Sequence, residues 1–304
     1  MLYIEKLKQL EPEVEKVVDG FFKKIEKNQF HEGDLLLVAV HGFYDKRTDE
    51  SIFLKKMKLS PYVFGSGEEG LTNQTQYDFY NAFLSAYVNY GDRQKYLEYL
   101  KTDKQAQASY LITLQLELVI YLKFWESDFF LKQLYNLGVN LLHGKNYDWH
   151  IDIKNKGKKT FLDIELKDSL RIKAPKFLEL FDAIYSRQVR NAIAHSQFWL
   201  NNSYLILMNY DPSDNANLKR LTIDEWEEMY HLFVVFYNVF NRKIREFEKT
   251  CMQEAADKHF GKPVMLTARD KKTRIEFLKS LPEIPRWVWY KSWAKTNRPK
   301  IYIV

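Results

Sequence analysis

Between residues 186 and 199 the chain reads SRQVRNAIAHSQFW. Arg190, Asn191 and His195 interrupt a run of small and apolar residues there. Each brings a different chemistry. An imidazole changes charge between about pH 5 and 8, so it can take and give protons. A guanidinium stays charged, and its planar fork matches the oxygens of a phosphate. A carboxamide such as that of Asn191 can orient the histidine or hold a phosphate oxygen. On an ideal helix, positions i and i+4 lie about 40° apart and i and i+5 about 140° apart. Asn191 and His195 therefore share a face, and Arg190 flanks it. One copy makes a loose cluster. Two copies brought together across a two-fold axis make a tight pocket of two Arg, two Asn and two His, with Ala192 and Ala194 permitting close approach. The alternative is structural: Arg190 pairs with Asp182 or another acid, and His195 ends the helix, where a cation is welcome.

The elements that must position these residues read as mainly helical. Residues 3–29 form a charged amphipathic helix, with Leu7, Leu10, Val14, Val17, Val18, Phe21 and Ile25 at helical spacing. GDLLLVAVHGFYDKR is a buried apolar run of either type, followed by the loop SPYVFGSGEEGLTNQ and helical patterns at QYDFYNAFLSAYVNY and RQKYLEYL. Residues 104–142 read as one long helix. Leu111, Leu114, Leu118, Tyr121, Trp125 and Phe129 make one stripe, and Ile112, Leu116, Val119 and Leu122 cover much of the rest, as in the central helix of a bundle. Residues 150–166 switch to a period of two around a Lys/Gly turn, which predicts a hairpin. A helix starts near Pro175 and turns Phe177, Phe181, Ile184, Tyr185 and Val189 inward. QFWL and SYLILMN form strands around Asn201-Asn202, and Thr222 with Glu225 opens the next helix as a capping box. Trp226, Met229, Phe233, Phe236, Tyr237, Phe240, Ile244 and Phe247 make that helix's buried face. A short helix is expected at 269–280, before an aromatic and basic tail. Three regions follow: 1–102 helical, 104–257 a helical bundle with small β-hairpins, and 258–304 a basic aromatic extension.

A chain of 304 residues can bury a full core. No apolar run approaches the roughly 20 residues a membrane helix needs. The start, MLYIEKLKQLEPEVEKV, is charged throughout and lacks a signal-peptide core. The single cysteine, Cys251, excludes an intrachain disulfide and a Cys-based metal cage. The expected location is the cytoplasm. From residue 258 onward twelve Lys and Arg stand against three Asp and Glu, a charge of +9; with +6 on the whole chain, the first 257 residues carry −3. A basic end on a near-neutral body points to a polyanion, of which nucleic acid is the commonest, or else to a solvated or self-packed patch. Lys271, Lys272, Arg274, Arg286 and Lys291 are the candidate phosphate contacts. Trp287, Trp289, Tyr290 and Trp293 among them either stack on bases or strap the tail to the bundle.

Other motifs carry less. GSGEEG at 65–70 has the letters of a dinucleotide loop, but Glu68 and Glu69 occupy the place of the phosphate, so it reads as a loop. Asp152 and Glu165-x-Lys167 on paired strands would suit a metal-dependent nuclease, in which carboxylates hold Mg²⁺ and the lysine helps water attack phosphate. Alternating charges on an exposed hairpin give the same letters. His143, Asp148 and His150 have no metal-ligand spacing and read as surface residues.

The segment Arg190-Asn191-Ala-Ile-Ala-His195 resembles the R-N-x-x-x-H signature of the HEPN superfamily, the higher eukaryotes and prokaryotes nucleotide-binding domain. The order of motif, short hairpin and capped helix over 190–247 is similar to that of several prokaryotic members, and the likeness covers roughly 104–255. The resemblance implies a helical bundle with the motif near the end of a long helix, a homodimer through that helix, and metal-independent RNA cleavage with no cofactor. RNA would be cut by its own 2′-hydroxyl, with His195 moving protons, Arg190 sheltering charge on phosphorus and Asn191 assisting. It implies a supporting polar or acidic residue on a neighbouring helix, for which Glu117 and Asp128 are the candidates. It also implies a toxin or antiviral-defence effector, with an antitoxin or defence-system partner. Some HEPN domains only bind RNA or a partner, and that reading stands beside the enzymatic one.

Overall fold

The computed structural model describes residues 2–39, 98, 100–148, 151, 153–214, 217–257, 261–267, 273–281, 286–290 and 301–303. In chain order its elements begin with helix α1 (Ile4–Asn28), a helical turn at Leu36–Ala39, α2 (Lys104–Glu126) and α3 (Asp128–Tyr135). A π turn at Asn136–Asn140, a 3-10 turn at Leu141–His143, strand β1 (Tyr147–Asp148) and a helical turn at Ile153–Lys156 follow. A π-helical stretch at Lys159–Leu166 then runs into α4 (Lys167–Lys173), α5 (Pro175–Ile184) and α6 (Arg187–Ala194). Strands β2 (Phe198–Leu200), β3 (Tyr204–Leu207) and β4 (Arg220–Thr222) precede the long α7 (Ile223–Asp257). The chain closes with β5 (Lys262–Thr267), β6 (Thr273–Leu281), β7 (Arg286–Tyr290) and β8 (Ile301–Ile303). The protein is mainly α, with two small sheets among the described residues.

It divides into two compact units, each built from three stretches of chain. The first comprises Met1–Val17, Thr75–Glu126 and Glu179–Val239. Its core is aromatic. Tyr121 meets Trp226 and Phe233 edge-on, and Trp125 stands perpendicular to Phe181. Each such fully buried side chain contributes about 1.5–3 kcal/mol relative to exposure. The stripe Leu114, Leu118, Tyr121 and Trp125 faces this core, but Ile112 is 58% and Val119 40% exposed, so α2 has one dry face rather than a central position. Strands β2, β3 and β4 pair antiparallel, with Trp199 opposite Ile206 and Ile206 opposite Arg220. Leu205 and Leu207 are their dry inner face. The capping box is present: Glu225 N–H donates to Thr222 Oγ1, and Thr222 N–H to Glu225 Oε2.

The second unit comprises Val18–Gln74, Ser127–Leu178 and Phe240–Val304. Phe21 stacks on Phe177, and Phe22 and Phe130 meet Phe240 edge-on. Its sheet runs β1-β5-β6-β7-β8, parallel only between β1 and β5. Gly33 lies so close to β5 that a Cβ there would sit 2.6 Å from the Pro263 carbonyl.

Three sequence expectations are corrected. The apolar run 104–142 is broken at Ser127, whose backbone is extended and whose Oγ accepts from Phe130 N–H to start α3. Of the hairpin expected over 150–166, the described residues 153–166 are largely helical. Phe161, Leu162 and Leu166 are all buried on a widened helix, whose i to i+5 bonding brings both neighbours Phe161 and Leu162 inward. Of the helix expected at 269–280, residues 273–280 are strand instead: β6 pairs with β5 from Lys262–Leu278 to Thr267–Thr273, and Val264 and Leu278 are buried.

Candidate functional site

The 190–195 cluster sits on α6, an eight-residue helix, rather than at the end of a long one. The break lies at Ser186. Its Oγ accepts from Val189 N–H, and its own N–H donates to the Tyr121 hydroxyl at 3.0 Å. Val189, Ala192 and Ile193 face inward and hold α6 against α2. Burial raises the Tyr121 hydroxyl well above its ordinary range, against the pull of nearby Arg190, so it stays protonated.

Arg190 lies on the flank that meets α2. Its Nη1 donates to Glu126 Oε1 at 3.0 Å, with 12% of the Arg190 side chain and 34% of Glu126 in contact with solvent. Its Nε is buried without a hydrogen bond among the described residues. Asn191 is half-buried and His195 exposed, one turn apart and bonded through His195 N–H to the Asn191 carbonyl at 3.0 Å. Within one copy His195 is exposed, Asn191 is half-buried, and Arg190 turns to Glu126 on α2.

The helix end is built with care for its carbonyls. His195 is the C-cap, Ser196 N–H donates to Ile193 O, and Gln197 N–H donates to Ala192 O. This pairing is a Schellman ending, which needs a left-handed residue after the cap. Ser196 supplies it with φ 53°, a conformation that glycine adopts freely and other L-residues only at a cost. Met208 N–H then donates to Gln197 O, tying the hairpin to the helix end. Gln188 brackets Leu218 through both its amide groups, and Asn209 donates to the Gln188 carbonyl.

Of the two supporting acids expected, neither is the partner of Arg190 within this unit. Glu117 is fully buried and accepts from Trp226 Nε1 at 3.1 Å, and burial raises its carboxyl above the ordinary range. Asp128 opens α3 in the second unit, and its side chain lies outside the described residues. The acid that meets Arg190 is Glu126. Glu126 is the last residue of α2, where an acid opposes the macrodipole unless a cation answers it, and Arg190 does so. Sequence reasoning also missed a buried polar cluster in the first unit. Glu227 accepts from Tyr110 and Tyr3 hydroxyls, and His231 Nε2 accepts from Tyr3 N–H while Nδ1 lies 2.6 Å from the Glu227 carbonyl. Burial lowers the His231 imidazole to about 4.

The metal-nuclease pattern loses its strands. Glu165 accepts from the Tyr135 hydroxyl and from Lys156 Nζ. Burial pushes its carboxyl up, but these two donors outweigh it and leave it below the usual range. Lys167 pairs with Asp163 on the same helical stretch. His143 lies 2.7 Å from Ser169 Oγ, and Asp148 exchanges backbone bonds with the Asn136 side chain. Among the described residues no three His, Cys, Asp or Glu side chains converge as a metal ion requires. His150, Asp152 and the GSGEEG loop lie outside the described residues, as do Lys271, Lys272 and Lys291. Arg274 is on β6 and Arg286 on β7, in the second unit. Among the described residues no helix is long and apolar enough to cross a membrane.

No family model, curated protein or solved structure matches this chain.

Proposed function

We propose that the chain is a metal-independent endoribonuclease of the HEPN type, working in the cytoplasm as a homodimer through α6. The observation that carries this reading is His195 standing exposed at the end of a braced helix, one turn after Asn191 and five residues after an Arg190 pinned by Glu126. RNA supplies the nucleophile, so no water needs activating. The His195 imidazole takes the proton of the 2′-hydroxyl, and that oxygen forms a bond to phosphorus. The bond from phosphorus to the 5′-oxygen breaks, and the His195 of the second copy protonates the leaving oxygen. The products are a 2′,3′-cyclic phosphate and a 5′-hydroxyl. Arg190 stabilises charge gathering on the phosphorus oxygens, and Asn191 orients the imidazole or binds one of those oxygens. Glu126 fixes the guanidinium, which reduces the rotamer freedom lost when phosphate arrives. The biological role that fits such an activity is a toxin or antiviral-defence effector cutting host or phage RNA, restrained by an antitoxin or defence-system partner.

A second reading is favoured by one observation. Arg190 is mostly buried and already paired with Glu126 within one copy, as a purely structural pin would be. On that reading the domain binds RNA or a protein partner without cutting. Arg190→Ala and His195→Ala separate the two. The enzymatic reading expects each to reduce cleavage at least 100-fold. RNA retained without any product by the wild type, with His195→Ala indistinguishable, supports the binding module.

A further inference from the structure

Arg190 is committed to Glu126, so the guanidinium that α6 offers to solvent is that of Arg187, its first residue. Arg187 and Asn191 lie four residues apart on α6, about 40° from each other around the helix. His195 follows four residues later at the C-cap, exposed, with its N–H still bonded to the Asn191 carbonyl at 3.0 Å. Arg187, Asn191 and His195 therefore mark successive turns along one side of α6. Helix stability does not explain an arginine at this place. The first turn of a helix carries the positive end of its macrodipole, where an acid is favoured and a cation is not. α6 has no acid in that turn. Local rules are broken in this way chiefly where a residue serves a function. The backbone of Arg187 is held from both sides. Ser186 N–H donates to the Tyr121 hydroxyl just before it, and the Gln188 side chain just after it bonds both backbone groups of Leu218.

We propose that Arg187 grips a phosphate of the RNA neighbouring the linkage that His195 cuts, so that the substrate is a strand running along α6 rather than an isolated linkage. The proposal rests on the ribonuclease reading and names the form of its substrate. Eight residues of helix rise separate Arg187 from His195, about 12 Å, and side chains on a helix lean towards its N-terminus, which carries Arg187 further from His195. The two groups therefore cannot serve one phosphate, whose oxygens each need a donor within about 3 Å. A planar guanidinium that is always charged suits the next phosphate along the strand. Acids also stand near the start of α6. Asp182 on α5 is exposed, and so are Asp211 and Asp214 in the loop after β3, which Asn209 and Gln188 tie to this end of the helix. This surface is thus no broad basic patch, and the expected effect is that of a single phosphate contact.

The test uses the purified protein and a fluorescein-labelled 12-nucleotide RNA, 2′-O-methylated throughout so that it has no nucleophile and cannot be cut. Fluorescence anisotropy gives its affinity across a series of salt concentrations. Arg187→Ala is expected to weaken binding about 10-fold, the loss of one charge-assisted contact. It should also flatten the plot of log K against log salt by about 0.7, the share of one phosphate on a single strand. Arg187→Lys keeps the charge and should keep the slope, with a loss of less than about 3-fold in affinity. On cleavable RNA, the loss of kcat/KM in Arg187→Ala should fall from about 10-fold on the 12-nucleotide strand, carried by KM, to less than about 2-fold on a dinucleotide, which has no neighbouring phosphate. Equal affinity and slope of the wild type and Arg187→Ala overturn the proposal. An equal loss on strand and dinucleotide overturns it too, since Arg187 would then act at the cut linkage. So does loss of self-association in Arg187→Ala at unchanged RNA affinity, which would make Arg187 a contact between copies. Cleavage by the wild type with affinity indifferent to Arg187 refutes this contact alone, and an Arg187-dependent affinity without cleavage refutes the enzyme alone.

Discussion

Removing Glu126 asks what the Arg190 guanidinium is for. The pair is 3.0 Å apart, with most of the arginine out of water and about a third of the carboxylate in it. Two unit charges about 4 Å apart at an effective dielectric of 20 attract by about 4 kcal/mol, and partial solvation of Glu126 reduces this. Leaving Arg190 buried without its partner therefore costs about 2 kcal/mol, or about 4 °C in Tm for a chain of this size. Glu126→Gln keeps an acceptor and loses the charge, so about half that cost is expected. The double replacement Arg190→Met with Glu126→Leu removes both charges for apolar groups of similar length. It should recover most of the lost stability, because no buried charge is left unanswered. Melting curves and a cleavage assay are run on the same four proteins. The ribonuclease reading expects the double variant to fold normally and cut no RNA, and Glu126→Gln to cut about 10-fold more slowly, equivalent to about 1.4 kcal/mol of lost positioning. Normal folding with wild-type cleavage in the double variant would refute it, since Arg190 would then be a pin and nothing more.

The remaining expectations can be measured on the same preparations. Ser196→Gly relieves the positive φ after His195 and should stabilise the chain by about 0.5–1 kcal/mol in a urea melt; a loss of stability would mean that Ser196 does not hold that conformation. His231 is lowered to about 4 from 6.5, so the unfolded chain takes its proton first. Its contribution is complete above about pH 6.5 and falls as the pH drops towards 4, by at most roughly 3 kcal/mol. The stability difference between wild type and His231→Gln should shrink over that interval, and a constant difference would contradict the buried neutral imidazole. The Cys251 thiol is buried and pushed up to about 11, so a thiol reagent at pH 8 should label it only after denaturation.

Long apolar periodicity was the most legible feature of the sequence. The stripe from Leu114 to Trp125, the inward set from Phe177 to Val189 and the capping box at Thr222 all stand where the spacing placed them. These signals repeat over several turns, so one residue cannot reverse them. Breaks were harder to read. Ser127 and Ser186 each start a helix through one hydroxyl, and a single capping serine inside an apolar run carries little weight against the run. The π-helical stretch at 159–166 mimics alternation because its wider turn buries adjacent residues. At the site, the helical setting of Arg190 and Asn191 was legible in the sequence, and His195 stands at that helix's end. The partner of Arg190 was not legible, because α2 brings Glu126 to it across 64 residues and no local pattern encodes that meeting. His231 was hidden for the same reason: its partner, the Tyr3 backbone, lies 228 residues away.

The measurement closest to the central claim is the chemistry of the ends left on RNA. The purified protein is incubated with total RNA, with and without EDTA, and the fragment ends are read. The account expects 2′,3′-cyclic phosphates and 5′-hydroxyls, formed equally with the chelator and absent with His195→Ala. Fragments bearing 3′-hydroxyls, cleavage abolished by EDTA, or undiminished cutting by His195→Ala would contradict it.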